Sequence, residues 1–281
     1  MEAYKSKNEL KIFSRRCREN HKTIGFVPTM GALHNGHISL IDAAKRDNDL
    51  VVVSIFVNPM QFNDSSDFQK YPRMLDEDLK MLEEHGVNAV FIPTTEEMYP
   101  TNETESFDFG ILDRIMEAKL RPGHFLGVAR IVKRLFLAVN PDAAYFGEKD
   151  FQQLAIIKEL TAHENFNIRI VGCPIIREPD GLAMSSRNLR LGPIYRKAAT
   201  LIYRTLAATR EKFHILSPDD CEKWFRMELS KEANLRLEYF EIVDYETMLP
   251  VEKPIVGRKY IGCTAVYAGE VRLIDNMVFS I

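Results

Sequence analysis

Segments typical of β-strands alternate with segments of helical periodicity through the first 175 residues of this 281-residue chain. The clearest strand is Leu50 to Val57, a largely β-branched run without a helical period, as expected of a central strand covered on both faces. Each helix can return the chain to the start of the next strand, so the alternation favours a parallel sheet covered by helices on both sides. We therefore predict an α/β fold with a doubly wound parallel sheet.

The pattern predicts about five strands in this region. They are Thr23 to Val27, Leu50 to Val57, Ala89 to Ile92, Ala143 to Phe146 and Ile168 to Gly172. The helices between and beside them are predicted at His37 to Arg46, Tyr71 to His85, Val128 to Val139 and Phe151 to His163.

After residue 175 the order of elements changes. Two consecutive helices, Tyr195 to Phe213 and Asp219 to Ala233, precede strand-like runs at Leu237 to Val243, Tyr260 to Tyr267 and Val271 to Ile274. Helices followed by strands indicate a separate α+β module. We predict two domains, 1–175 and 176–281, with a cleft between them in which a ligand binds.

Charge, apolar runs and cysteines narrow the class of protein. The 37 basic and 40 acidic residues give a net charge of −3, which offers no surplus for binding nucleic acid. The run from Leu50 to Val57 is far shorter than the roughly 20 apolar residues that cross a bilayer, and the N-terminus has no signal-peptide core. The four scattered cysteines lack a C-x-x-C pair, which argues against a zinc site or a disulfide scaffold. We expect a cytoplasmic protein with no nucleic-acid or membrane partner.

The segment PTMGALHNGH, residues 28–37, follows the first predicted strand and leads into a helix. In a doubly wound sheet, such a turn presents backbone N–H groups and the positive end of a helix to a ligand's phosphates. His34 and His37 are three residues apart, so both imidazoles can reach the same anion. The turn lacks the ending of a P-loop and the glycine spacing of a dinucleotide motif, and it points to nucleotidyl transfer at an α-phosphate. One histidine alone would more simply cap the helix, but the pair with Gly31 and Gly36 favours the phosphate role.

Two other segments follow predicted strands. Gln61, in NPMQF, has a donor and an acceptor that suit a hydroxy-acid substrate, although it is also consistent with an ordinary loop amide. Lys149 and Asp150 precede a helix, with Gln153 one turn further along it. Lys149 can neutralise charge on a phosphate in the transition state; the alternative is a solvated lysine near a helix N-terminus.

Near the predicted domain boundary, Met184 to Arg187 joins two hydroxyls to a guanidinium, a combination that can clamp a triphosphate. The alternative is a helix cap or turn. Glu77 and Asp78 are weaker candidates for holding Mg²⁺, because the acid-rich helix that carries them has the pattern of a solvated face.

Seven segments, taken in order, resemble the pantoate–β-alanine ligase family of the nucleotidyltransferase superfamily. They are PTMGALHNGH, NPMQF, YPR, RPGHF, YFGEKDFQQL, REPDGLAMSSRN and RLIDN. The resemblance implies a Rossmann-type domain with a smaller C-terminal α+β lid, and a homodimer. It also implies the condensation of ATP, pantoate and β-alanine, with Mg²⁺, to pantothenate, AMP and pyrophosphate through an enzyme-bound pantoyl adenylate.

The resemblance further implies which residues form the site. The ATP site would comprise Met30, Gly31, Ala32, Leu33, His34, Asn35, Gly36, His37, Gly147, Glu148, Lys149, Asp150, Ile176, Met184, Ser185, Ser186 and Arg187. The catalytic groups among these would be His37 in an acid role, His34, Lys149, Ser185, Ser186 and Arg187. Gln61 and Gln153 would hold pantoate, with Gln61 also near β-alanine.

One residue departs from the family pattern, and two other functions stay open. Arg130 stands where the family commonly has a small hydroxyl residue, so it would alter pantoate affinity if it lines that pocket, or only packing if it faces a dimer contact.

The scaffold also suits another adenylyl transfer, such as one onto a mononucleotide. It suits, too, a binding protein that keeps the ATP cleft without turnover.

Overall fold

The predicted central strand spans Leu50–Ile55 in a computed structural model of the chain, which describes residues 1–100 and 105–281. The chain divides into two compact units. The first comprises Met1–Asp113, Glu117–Glu148 and Gln152–Pro174; the second comprises Arg114–Met116, Lys149–Phe151 and Ile175–Ile281. The domain division at 175/176 and the lid role stay predictions.

Within the described ranges, no helix is long and apolar enough to cross a membrane.

The first unit contains a parallel sheet of six strands. They are β1 (Glu2–Tyr4), β2 (Ile24–Thr29), β3 (Leu50–Ile55), β4 (Ala89–Phe91), β5 (Ala143–Gly147) and β6 (Arg169–Cys173), in the spatial order β1-β4-β3-β2-β5-β6. Val51, Val52 and Val53 are at most 1% exposed, because β3 lies between β2 and β4 and is covered on both faces. The predicted doubly wound α/β sheet is confirmed.

Helices connect and cover these strands. They are α1 (Lys7–Glu19), α2 (Asn35–Asp47), α3 (Ser65–Gln69), α4 (Leu75–Glu84), α5 (Thr95–Met98), α6 (Met116–Leu120), α7 (His124–Val139) and α8 (Phe151–His163). Short 3-10 helices lie at Pro59–Gln61, Gly110–Asp113 and Glu148–Asp150.

Some boundaries differ from the sequence prediction. The strand count of about five is wrong by one, because β1 has only three residues and pairs along the edge with β4, too short a segment to show periodicity. Helix α4 begins at Leu75 rather than Tyr71, since Pro72 disfavours helical backbone at the residue before it. Helix α7 begins four residues earlier than predicted, directly after Gly123, whose φ of 81° lies in the left-handed region.

The second unit confirms the predicted change to an α+β module. It contains α9 (Pro193–Lys212), α10 (Pro218–Leu229) and an antiparallel sheet of β7 (Leu235–Asp244), β8 (Lys259–Ala268) and β9 (Val271–Ser280), preceded by a 3-10 helix at Ser186–Arg190. Its core joins helix to sheet: the Phe225 ring of α10 stacks on Phe240 of β7 with centroids 3.9 Å apart. Burial of such aromatic pairs contributes to the stability of the module.

Candidate active site

The H-x-G-H turn joins the carboxyl end of β2 to the N-terminus of α2. His34 is the N-cap of α2, and its Nδ1 accepts the backbone N–H of Gly36 at 3.1 Å. His37 reaches back, and its Nδ1 lies 3.3 Å from the backbone N of His34, which donates to it. The two rings therefore form a capping box, with centroids 4.1 Å apart.

This capping arrangement selects one tautomer of each imidazole. Because Nδ1 accepts a hydrogen bond in both rings, the neutral rings carry their proton on Nε2. The helix-cap interpretation of the histidines is therefore confirmed, and it is compatible with the phosphate role: the caps leave Nε2 as the donor of each ring, beside the positive end of a 13-residue helix.

Asp78 of α4 fixes the loop that precedes the histidines. Its Oδ2 accepts the backbone N–H of Ala32 at 2.9 Å and its Oδ1 that of Leu33 at 2.7 Å. Gly31 and Ala32 both have left-handed backbone, with φ of 78° and 50°, and a Cβ on Gly31 would lie 2.9 Å from Asp78 Oδ2. Burial raises the pKa of Asp78, while the hydrogen bonds from Leu33 and Ala32 oppose that rise. The solvated-face interpretation is wrong for Asp78, which is only 2% exposed.

Gln61 is held through its side chain by Asn58, the residue that caps its 3-10 helix. Asn58 Nδ2 donates to Gln61 Oε1 and to the Gly127 carbonyl, both at 3.1 Å. Asn58 Oδ1 accepts from the Met60 N–H and, at 2.8 Å, from the Tyr99 hydroxyl. Burial raises the pKa of Tyr99 to about 12, so this hydroxyl stays a neutral donor. Asn58 is 1% exposed, and its amide is fully used in orienting the loop.

The end of the Gln61 side chain contacts Met30, in the segment that precedes the H-x-G-H turn. Gln61 Nε2 lies 3.1 Å from the Met30 sulfur, so the structure brings together these two residues from different predicted segments. A glutamine amide has two N–H donors and two acceptor lone pairs, more than these two contacts use.

The backbone of Gln61 is also held by hydrogen bonds, in addition to its side chain. Its carbonyl accepts from His124 Nδ1 at 2.7 Å and from an Arg121 guanidinium nitrogen at 3.3 Å. A second Arg121 nitrogen lies 3.1 Å from His124 Nε2, which fixes the tautomer. Gly127 of α7 packs directly on this turn, since a Cβ there would lie 2.1 Å from the Met60 carbonyl oxygen. The RPGHF segment thus serves to hold Gln61.

The remaining predicted phosphate ligands lie in the second unit. Ser185 is the N-cap of the 3-10 helix, and its hydroxyl accepts the Arg187 N–H at 3.3 Å, so the predicted cap alternative is confirmed for Ser185. Ser186 is 6% exposed. Lys149 lies in the 3-10 helix before α8, and its Nζ is 3.9 Å from Asp150 Oδ2.

The other predicted residues are placed as follows. Asn35 and Gly36 open α2, Gly147 ends β5, Glu148 begins the next 3-10 helix, Gln153 lies in the first turn of α8, and Ile176 accepts a backbone hydrogen bond from Met184 at 3.0 Å. In the first unit Gln61 contacts Met30, four residues before His34; the second unit contains Lys149 and the Met184 to Arg187 segment. That ATP spans both groups stays a prediction.

Sequence reasoning missed the residues that orient the site. Asn58, Arg121 and His124 bond to Gln61, Gly127 packs against the same turn, and Tyr99 bonds to Asn58. Two signals pointed toward them: Asn58 directly follows the buried strand run that ends at Val57, and the resembling segments NPMQF and RPGHF contain Asn58, Arg121 and His124.

Arg130 bonds to a backbone group of its own unit. The Nε of its guanidinium donates to the Glu105 carbonyl at 2.8 Å, and a second guanidinium nitrogen donates to the same oxygen. The Glu105 carboxylate in turn pairs with Lys133 and Arg134 of α7. Neither alternative for Arg130, a pantoate-pocket position or a dimer contact, is tested by these bonds.

The described residues do not fit a dedicated protein cage for Mg²⁺. Both carboxylate oxygens of Asp78 accept backbone N–H groups, and Glu77 is exposed. Within residues 1–100 and 105–281, no group of three or more His, Cys, Asp or Glu side chains is arranged to hold a metal ion.

Comparisons with known proteins agree with this geometry. A family model described as Pantoate-beta-alanine ligase matches residues 2–278. A protein of Azobacteroides pseudotrichonymphae named pantothenate synthetase is 47% identical over 280 residues, which cover 99% of this chain and 100% of that one.

Two solved structures are similar over nearly the whole chain. The crystal structure of pantothenate synthetase from Thermus thermophilus has a TM-score of 0.91 and 42% identity, covering 99% of both chains. That of pantoate–β-alanine ligase from Francisella tularensis, complexed with Beta-gamma ATP and β-alanine, has a TM-score of 0.83 and 36% identity, covering 99% of this chain and 97% of that one. The Rossmann-like architecture and the sequence resemblance are confirmed. With sequence, family model and fold in agreement from end to end, the chain belongs to the pantoate–β-alanine ligase family, the enzymes that join pantoate to β-alanine to give pantothenate.

Proposed function

We propose that the chain joins pantoate to β-alanine through an enzyme-bound pantoyl adenylate formed from ATP. A carboxylate is a poor electrophile, so it needs activation before an amine can attack it. A pantoate carboxylate oxygen attacks the ATP α-phosphorus and pyrophosphate leaves with the electrons of the broken P–O bond. The β-alanine amine then attacks the pantoyl carbonyl, loses a proton, and expels AMP. The Francisella tularensis relative, complexed with an ATP compound and β-alanine, supports these two substrates.

The observation that carries this proposal is the capping box of His34 and His37. It leaves an Nε2 proton on each ring next to the N-terminus of α2, where an anion is favoured by the helix dipole. In the proposed reaction, His37 donates to the phosphate oxygens as negative charge moves toward pyrophosphate, and His34 binds the neighbouring phosphate. Both rings are held in place before ATP arrives, so little reorganisation is needed at the moment of reaction.

The loop from Met30 to Leu33 would pack against the nucleotide. Support comes from the anchoring of its N–H groups on Asp78, which holds the left-handed backbone at Gly31 and Ala32 in one form. Gly31 allows the loop to take this form, because its left-handed φ of 78° suits glycine and a Cβ there would crowd Asp78 Oδ2 at 2.9 Å. With Asn35 and Gly36 opening α2, the segment completes the ATP side of the first unit.

Gln61 and Gln153 would bind pantoate. The amide of Gln61 is held at its oxygen by Asn58 and at its backbone by His124 and Arg121, which supports a role in orienting one small polar substrate. Holding the pantoate carboxylate in line with the α-phosphorus turns a bimolecular encounter into a positioned reaction. Gln61 would also lie near the incoming β-alanine.

Lys149, Ser185, Ser186 and Arg187 would surround the phosphates of ATP from the second unit. A lysine and a guanidinium supply the positive charge that developing pyrophosphate requires, and the two hydroxyls supply further donors. Gly147, Glu148, Asp150, Ile176 and Met184 would complete the nucleotide site. The domain division 1–175 and 176–281, with the second domain as a lid, belongs to this proposal.

We further propose that Mg²⁺ arrives with ATP, bound chiefly by its phosphates, as this ion commonly is. The proposal also includes a homodimer, implied by the family resemblance, and a cytoplasmic location. The location is supported by the cysteines: all four are buried and none is in a disulfide, as suits a reducing compartment.

The proposal is tested by mass spectrometry of the products after incubation with ATP, Mg²⁺, pantoate and β-alanine, with each component omitted in turn. We expect pantothenate, AMP and pyrophosphate in equal amounts, and pantoate-dependent pyrophosphate release when β-alanine is omitted. Formation of ADP and phosphate would overturn the adenylate. A dinucleotide product would indicate a different adenylyl transfer, and nucleotide binding without turnover would indicate a binding protein.

A further inference from the structure

The segment before the Ser-Ser-Arg loop is a tight hairpin in the second unit. Arg177 and Ala183 form an antiparallel bridge, and the Met184 N–H donates to the Ile176 carbonyl at 3.0 Å. The turn packs on α9 at Gly181, where a Cβ would lie 2.1 Å from a Tyr203 ring carbon. The direction in which the chain enters residues 184–187 is therefore set by this hairpin.

Arg177 ties the hairpin to β9. Its guanidinium donates to both carboxylate oxygens of Asp275, at 2.7 and 2.9 Å, and to the carbonyls of Gly181 and Asn276. It also stacks on Tyr203, 4.4 Å from the ring centroid. The Asp275 side chain is only 3% exposed; burial raises its pKa, while Arg177 opposes the rise. A bidentate contact of this kind fixes the orientation of the Arg177 side chain as well as its distance from Asp275.

Asn276, the next residue of β9, ties a second segment to the same point. Its Nδ2 donates to the backbone carbonyl of Lys149 at 3.0 Å, and its backbone N–H donates to Asp275 Oδ1 at 2.8 Å. The Lys149 segment is anchored again two residues later, where the Phe151 ring packs on Tyr245 with centroids 4.9 Å apart. All these residues belong to the second unit.

We infer that Asp275 and Asn276 are positioning residues that set the Lys149 backbone and the hairpin before Met184 to Arg187 in one fixed geometry. The two segments are well separated in sequence, yet both are bonded to adjacent residues of one strand. This inference rests on the proposed function, because it assigns Asp275 and Asn276 an effect through the groups proposed to bind phosphate. It also gives the RLIDN segment a role that the substrate contacts leave unassigned.

The alternative is that this network merely stabilises the fold. Burying an ion pair is weak evidence for stabilisation, because the desolvation of both charges offsets their attraction. A network that instead fixes geometry should affect the rate far more than stability, since misplacing a reacting group by about 1 Å can cost about 100-fold in rate.

The first experiment compares Asn276→Ala with Glu238→Gln by the rate of pantoate-dependent pyrophosphate release. Glu238 pairs with Arg272 of β9 at 2.7 Å and is also largely buried, so this control removes an ion pair from the same sheet without touching Lys149 or the hairpin. We expect Asn276→Ala to lower kcat about 10- to 100-fold with the pantoate KM changed less than about 2-fold. Glu238→Gln, the control, should keep the wild-type kcat. The unfolding temperatures of the two variants should be similar to each other.

The deciding experiment is a double-mutant cycle of Asn276→Ala with Lys149→Ala. If Asn276 acts through Lys149, its substitution should lower kcat little further once the lysine side chain is gone. Multiplicative losses in the double variant, or an unchanged kcat in Asn276→Ala, would overturn the inference. If Asn276→Ala does not fold, Asn276→Ser, whose hydroxyl is too short to reach the Lys149 carbonyl, replaces it in the cycle. A wild-type chain that releases no pyrophosphate would instead refute the proposed function.

Discussion

The Nδ1 atom of His37 accepts the backbone N–H of His34, 3.3 Å away. His37 therefore helps to cap the N-terminus of α2, where His34 is the N-cap residue. In the His37 ring, Nδ1 completes the N-terminus of α2, and the proposed reaction assigns phosphate binding to Nε2. Substitutions at residue 37 can separate the two contributions.

We expect His37→Ala to lower kcat by about 10²- to 10⁴-fold, the usual range for a lost general acid or charge-stabilising donor. It should also lower the free energy of unfolding by about 0.5–1.5 kcal/mol, because the cap is lost. His37→Gln is the matched control, since glutamine at this helix position can still reach back to the His34 N–H. It should recover stability but not kcat. Wild-type turnover in either variant would remove the imidazole from the mechanism.

Gln61→Ala should impair adenylate formation through pantoate. A polar substrate group left without its partner in a buried site costs about 1–3 kcal/mol, which should appear in kcat/KM for pantoate. The measurement is pyrophosphate release at saturating ATP, with the ATP KM as internal control. Gln61→Glu should be impaired at least as strongly, because a carboxylate beside the pantoate carboxylate adds repulsion. If pantoate KM and kcat are both unchanged in Gln61→Ala, this residue does not bind pantoate.

Gly127→Ala tests the anchoring of Gln61 by α7. The added Cβ would lie 2.1 Å from the Met60 carbonyl oxygen and 2.9 Å from the Gln61 Cα, so the helix and the turn must separate. Overpacking of this kind typically costs about 1–3 kcal/mol of stability, and we expect the pantoate KM to rise with it. In Gly192→Ala the Cβ meets nothing within 4 Å, which makes this variant the control. A Gly127→Ala enzyme with wild-type stability and pantoate KM would contradict the packing described here.

The sequence predicted those parts of the fold whose signal is local. The β-branched run at β3 is a central strand as expected, because continuous apolar character is what a strand covered on both faces requires. The edge strand β1 was missed, since three residues carry no usable period. The histidine pair was found because its spacing, its glycines and the preceding strand lie close together in the sequence.

The residues that hold the loops of the site could not be found from local spacing. Asp78 belongs to an acid-rich helix and has the sequence context of a solvated residue, yet it is buried against a loop far earlier in the chain. Asn58 and Gly127 are recognisable only once α7 is packed on the turn after β3. Their roles depend on tertiary contacts, which neither periodicity nor local motif specifies.

A pH-dependent contribution to stability is expected at Asp49. Its carboxylate accepts the Thr23 backbone N–H and hydroxyl, both at 2.9 Å, and pairs with Lys22 at 3.1 Å. The Thr23 backbone hydrogen bond, with Lys22 and the Thr23 hydroxyl, lowers the pKa of Asp49 to about 2 from 3.8. A lowered pKa means that the folded state favours the ionised form, so the stabilisation is present above about pH 4 and is lost as the pH falls toward 2.

Chemical denaturation of the wild type and Asp49→Asn at several pH values measures this effect. The difference in unfolding free energy should be constant above about pH 4 and shrink below it. Asp42→Asn, at an exposed position on α2, is the control. A difference that grows on acidification would contradict the predicted sign.

The adenylate at the centre of the proposed function is tested most directly by isotope transfer from pantoate. With both carboxylate oxygens of pantoate labelled as ¹⁸O, attack on the α-phosphorus places one labelled oxygen in the bridge to AMP, and amine attack leaves it there. We expect one ¹⁸O in the released AMP and none in pyrophosphate. Unlabelled AMP, or label in inorganic phosphate, would contradict it.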